Sequence, residues 1–169
     1  MDYSDKTVSG SYNRIKKERH RKKVIQSLSK ILGEEYILFT KTQRAHADIN
    51  GTNFCDKHQF FEAQCFEFES IVESIGDRIR IFGSYVDAML AAFVTLSSNK
   101  NFGVQKNDRS GHISELLFCH ERMIVLLKSD TRVFAEKYID PETRDFMDGL
   151  REVHERMAWF LKSHLNYNS

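Results

Sequence analysis

Proline occurs once in these 169 residues and glycine eight times. The turn punctuation of β-sandwiches and barrels is therefore missing, and long uninterrupted stretches point to a few long helices. Only three cysteines are present, Cys55, Cys65 and Cys119. An odd, widely spaced set excludes a disulfide framework and a cysteine-based zinc site, and fits buried or half-buried thiols in a reducing compartment. No apolar run approaches the ~18 residues of a membrane span. The N-terminus is polar and basic with no apolar core, so no secretory signal is expected and the cytoplasm is the expected location. Nor does charge of one sign dominate, with 25 Lys+Arg against 24 Asp+Glu. A hydrophobic content of 41% excludes wholesale disorder. The length suits one domain with a real core.

What charge there is falls unevenly. Residues 1–23 hold eight Lys/Arg and three acids, a net of +5, and the remainder is net −4. Residues 1–11, rich in Ser, Gly and Asp, read as a flexible tail, and residues 12–169 as one domain. Helical periodicity begins near Tyr12 and strengthens through Val24, Leu28, Ile31, Leu32, Tyr36 and Phe39. It ends at Ile49-Asn50-Gly51. A second helix is predicted from Thr52 or Asn53 to Phe82-Gly83, a short apolar one over 84–99, and a third from Ser110 to about Tyr138. Asp140-Pro141-Glu142 opens the fourth with an N-cap carboxylate and proline at the first helical position. The fourth carries Phe146, Leu150, Val153, Met157 and Phe160 at helical spacing. The fold class is all-α: a four-helix bundle with a short extra helix in the crossover between helices 2 and 3.

Five residues carry chemistry. His46 lies near the end of the first helix; His58, Glu62, Glu73 and Asp77 lie on the second. His58 and Glu62 are one turn apart on one face, and Glu73 and Asp77 repeat the spacing. Glu62 and Glu73 point within ~20° of each other but lie about 16 Å apart along the axis. One ion cannot reach both pairs of one helix. If two copies of the helix pack antiparallel about a two-fold axis, His58 and Glu62 of one subunit meet Glu73 and Asp77 of the other, with His46 closing each of two identical sites. Two imidazoles and three carboxylates suit iron or manganese better than zinc or copper. The competing reading, that each pair is a solvated helix face, is the commoner fate of such spacings.

The stretch from Lys41-Thr42-Gln43-Arg44-Ala45-His46 through Gly51 and Phe54, followed by His58-Gln59-Phe60-Phe61-Glu62, resembles the ferroxidase signature of the Dps miniferritins, named for DNA protection during starvation. Val72-Glu73-Ser74-Ile75-Gly76-Asp77-Arg78 resembles a second family motif, and His154-Glu155-Arg156-Met157-Ala158-Trp159 a third. The likeness spans about residues 25–165. It implies a ferritin-like four-helix bundle, a hollow shell of twelve subunits, and a site for two irons at each two-fold interface. There His46, His58 and Glu62 would come from one subunit and Glu73 and Asp77 from its partner. It implies oxidation of Fe(II), with hydrogen peroxide preferred over dioxygen, and storage of ferric mineral inside, which protects the cell and its DNA. Ala47 stands where the family has Trp. Glu73 and Asp77 exchange the usual Asp and Glu, and Glu62 stands where Asp is common, so a lowered activity is expected.

The remaining charged features are less specific. Lys16, Lys17, Arg19, Arg21, Lys22 and Lys23 form a basic run suited to clamping phosphates, and some family members bind DNA through basic N-termini. The alternative function is accordingly a DNA-coating shell, associated with the nucleoid, whose iron chemistry has decayed. A di-iron oxidase of organic substrates is disfavoured, because helices 3 and 4 lack Glu-x-x-His motifs. Asp140, Glu142 and Asp145 match acidic iron-entry pores of the family, or simply answer the dipole of the fourth helix. His112, His120, His154 and His164 show no partner at consistent spacing and are expected as core-edge or surface residues.

Overall fold

The structure, a computed structural model, describes residues 4–48, 54–85 and 109–166, with side chains for 14–48, 58–85 and 111–165. Four long helices are present: α1 (Ser4–Asp48), α2 (Phe54–Ile81), α3 (Arg109–Val133) and α4 (Pro141–Asn166). Among the described residues there is no strand. Helix α1 begins at Ser4 rather than near Tyr12, so the backbone of residues 4–11 is helical. With no proline and one glycine in that stretch, prolonging an existing helix costs little per residue.

The helix ends follow local chemistry. Gly83 is left-handed (φ 74°), its N–H bonds to the Arg80 carbonyl at 2.8 Å, and the Ser84 N–H reaches the Ile79 carbonyl at 3.3 Å. That pair of bonds is the Schellman stop for α2. Helix α3 ends in a π-helical turn, Phe134–Tyr138, closed by Ile139 in the left-handed region (φ 52°, ψ 50°). Asp140 then caps α4: its Oδ1 accepts from the Thr143 N–H at 3.0 Å.

Helix α1 packs on α2, α3 on α4, and contacts between α1 and α3 join the two hairpins. Contacts of Arg21 with Phe82 and of His46 with His58 make α1 and α2 antiparallel. Lys41–Glu115 and Asp48–His112 make α1 and α3 antiparallel as well. Helices α2 and α3 therefore run the same way, and a crossover the length of the bundle must link them. The short helix expected over 84–99 falls almost wholly in residues 86–108, outside the described residues.

Each helix buries one stripe, such as Val24, Leu28 and Ile31 of α1 or Phe68, Ile75 and Ile79 of α2, all fully buried. Each such side chain contributes about 1.5–3 kcal/mol. On α4 the buried stripe is Met147, Leu150, His154, Met157 and Leu161. Leu150 and Met157 are buried as expected, but the other three positions move on by one residue: Phe146 and Val153 are only partly buried and Phe160 is exposed.

Candidate metal centre

The end of α1 and the start of α2 bring His46 and His58 together. His46 Nε2 is 3.3 Å from His58 Nδ1, and the ring centroids are 4.0 Å apart. Both residues are half-buried, and Glu62, one turn further along α2, is exposed. Glu73 and Asp77 are exposed on the same helix. They stand 15 and 19 residues from His58, more than ~20 Å along the axis. Asp77 is ion-paired with Arg80. Among the described residues no group of three or more His, Cys, Asp or Glu could hold a metal ion within one subunit. The chain alone thus offers two imidazoles with one carboxylate a turn away, and a separate acidic pair far down α2.

The other expected site residues are spread over the surface. Lys16, Lys17, Arg19, Arg21 and Lys22 are exposed and Lys23 half-buried on α1. Arg21 and Lys22 share Glu18, and Arg21 also donates to the Phe82 carbonyl at 3.2 Å. Glu142 is highly exposed and lies 3.7 Å from Arg78, and Asp145 is exposed beside Arg144. Asp140 differs from both: besides capping α4 it pairs with His20 at 2.9 Å, and its side chain is mostly covered. Its carboxylate serves the fold at that corner. Cys65 and Cys119 are half-buried thiols, and burial pushes both above the ordinary thiol range.

The histidines read as partnerless all find partners. His112 is 3.3 Å from Asp48, and His164 stacks on Phe60 at 5.0 Å. His120 and His154 are not core-edge residues but fully buried. His154 Nε2 lies 2.8 Å from Glu35 Oε1, and the two His Nδ1 atoms are 3.0 Å apart. Burial, with His154 beside it, pushes His120 down from 6.5 to about 3. Glu35 Oε2, His120 Nε2 and both amide atoms of Gln64 are buried without a hydrogen-bond partner. The signal was in the spacing: Glu35 follows Ile31 by one turn, His120 lies between Leu116 and Met123, and His154 between Leu150 and Met157. Each is a polar residue on an apolar stripe.

Residues 25–168 match the ferritin-like domain family. A low temperature-induced protein of Nostoc sp. (strain PCC 7120) is 30% identical over 146 residues, covering 86% of this chain and 82% of its own. The DNA protection during starvation protein 2 of Bacillus anthracis is 28% identical over 145 residues, 86% of this chain and 98% of its own. The chain is a ferritin-like protein of the Dps family. Among solved structures DpsC from Streptomyces coelicolor superposes with a TM-score of 0.77 at 21% identity, over 87% of this chain and 86% of that one. For a Dps-family chain the pairing of His46 with His58 falls where the ferroxidase signature was read.

Proposed function

We propose that the protein is an iron-oxidising and iron-storing miniferritin, with a ferroxidase site shared between two subunits. Iron storage and protection against oxidation are the general business of the family. The observation that carries the reading for this chain is the His46–His58 pair at 3.3 Å. Two imidazoles where α1 ends and α2 begins, with Glu62 a turn away, supply half of a mixed nitrogen–oxygen donor set of the kind that suits Fe(II). Glu73 and Asp77 of a second subunit, running antiparallel, supply the other half. Here iron is substrate and cargo. Two Fe(II) each give up one electron, and one hydrogen peroxide takes both electrons and two protons to become two waters, so no hydroxyl radical is released. The assembly proposed is a hollow dodecamer of two-fold dimers in the cytoplasm; among the described residues no helix is long and apolar enough to cross a membrane.

Anaerobic Fe(II) loading followed by peroxide tests this. Ferric absorbance should rise with about two irons consumed per peroxide and the product soluble, and the paired variant His46→Ala/His58→Ala should fall to the rate of free iron. A variant that keeps the parent rate would overturn the assignment. DNA binding is the second reading, favoured by the exposed Lys16, Lys17 and Arg19 carried on a helix rather than scattered. Charge reversal of those three should abolish a gel shift at ~50 mM salt. Absence of any shift by the parent protein at that salt would dismiss DNA.

A further inference from the structure

We propose that the Glu35–His154–His120 chain is an acid-operated latch on the bundle. It holds α1, α3 and α4 together while it carries one negative charge or none, and it releases them when it must accept a further proton. The three residues come from three helices, and all are fully buried. One set of proton positions satisfies both contacts with Glu35 charged. With Glu35 ionised, the His154 Nε2–H donates to Glu35 Oε1 at 2.8 Å. His154 Nδ1 is then a bare acceptor, and the Nδ1–H of His120 donates to it at 3.0 Å. A gap of that size holds one proton, not two.

A first added proton is tolerated, because it cancels the charge of Glu35. A second is not. Protonating both rings sets one N–H against another across 3.0 Å and leaves a net positive charge in the core. Among the described residues no further charge acts on His120 besides His154: α1 offers Glu35, already balanced. From α2 come the Phe68 ring, stacked on His120 at 5.9 Å, and, one turn away, the buried Gln64 amide; α3 and α4 bring the two histidines themselves. His120 Nε2 has no acceptor. Burial of His120 beside His154 keeps it neutral far below the range in which a free imidazole charges. In that interval the open chain binds a proton that the closed one refuses. Each such proton shifts the equilibrium toward opening about tenfold per pH unit.

The test is acid titration of the full-length protein from pH 7.5 to 3.5, at fixed protein concentration in a constant sub-denaturing urea. It is followed by far-UV dichroism and by the fluorescence of Trp159, the only tryptophan. The slope of the opening equilibrium against pH counts protons taken up per subunit. His120→Asn keeps an amide N–H where the Nδ1–H stood but cannot titrate. Its slope should fall by about one proton per subunit, whatever its stability at neutral pH. Glu35→Gln still accepts from His154 but removes the balancing charge, so its acid midpoint should move to higher pH. An unchanged slope in the first variant, or an unmoved midpoint in the second, would overturn the latch.

Discussion

Asp140 shows how much one carboxylate can do. Its Oδ1 takes the Thr143 N–H at 3.0 Å, and its Oδ2 takes the Thr143 hydroxyl at 2.6 Å and faces His20 at 2.9 Å. Burial by itself would raise its pKa, but the Thr143 donors and His20 together outweigh burial and hold it below the ordinary 3.8. A carboxylate depressed in the fold stabilises above its unfolded pKa and loses that contribution as pH falls through the folded one. Replacing Asp140 by Ala should therefore cost about 1 kcal/mol at pH 7, measured by urea unfolding, and the gap to the parent should shrink below about pH 4. Asp145→Ala, by contrast, should leave the urea midpoint unchanged, because its exposed carboxylate pairs with the neighbouring Arg144 at the surface. Equal loss of stability in both variants would contradict this division of labour. The Asp140-Pro141 cap was legible because its partners are neighbours in sequence. For the Glu35–His154–His120 chain, spacing on apolar stripes marks each residue for the core but not their meeting: residues 119 positions apart come together only when α1 and α4 are packed.

Among the elements, the sequence announced four helices and their rough limits, because their apolar residues recur every three or four positions and proline is nearly absent. Two details escaped it. On α4 both Phe146-Val153-Phe160 and Met147-His154-Leu161 repeat every seven residues, and the histidine in the second set disguised the truly buried one. The π turn after α3 left no signal either, since nothing in Phe134–Tyr138 forbids an ordinary α turn. It ends in a β-branched residue held left-handed, Ile139, which is also exposed. Gly83 adopts the same hand at the end of α2 (φ 74°). The two stops give opposite predictions. Gly83→Ala should destabilise by about 1 kcal/mol, because a Cβ strains that backbone and meets an Arg21 nitrogen at 3.1 Å. Ile139→Gly should stabilise by roughly 0.5–1 kcal/mol, because it removes a left-handed penalty and no buried contact. Thermal unfolding of the two variants beside the parent would read both signs, and a loss of stability in Ile139→Gly would show that its side chain packs against something outside this chain.

For the whole molecule the decisive question is whether one subunit is enough. Within α2 the separation of His58 from Asp77 is fixed by helix rise, about 28 Å, and no bending of a packed helix brings them to one ion. A site that uses both must therefore take them from two chains, and a two-fold axis makes every dimer carry two such sites. That geometry has a genetic consequence. On the proposed shared site, His58→Ala subunits lose one of the two imidazoles and Asp77→Ala subunits one of the two partner carboxylates, so each should oxidise iron near background when assembled alone. In a mixed dimer one site collects both defects, and the other collects the two intact halves. Random reassembly of equal amounts makes half of the dimers mixed, so about one quarter of all sites should be restored. Stopped-flow oxidation of Fe(II) by peroxide on unfolded, mixed and refolded variants, against each variant refolded alone, measures this recovery. A mixture no faster than the mean of its components would place the two halves in unrelated sites and leave His46 and His58 as a structural pair.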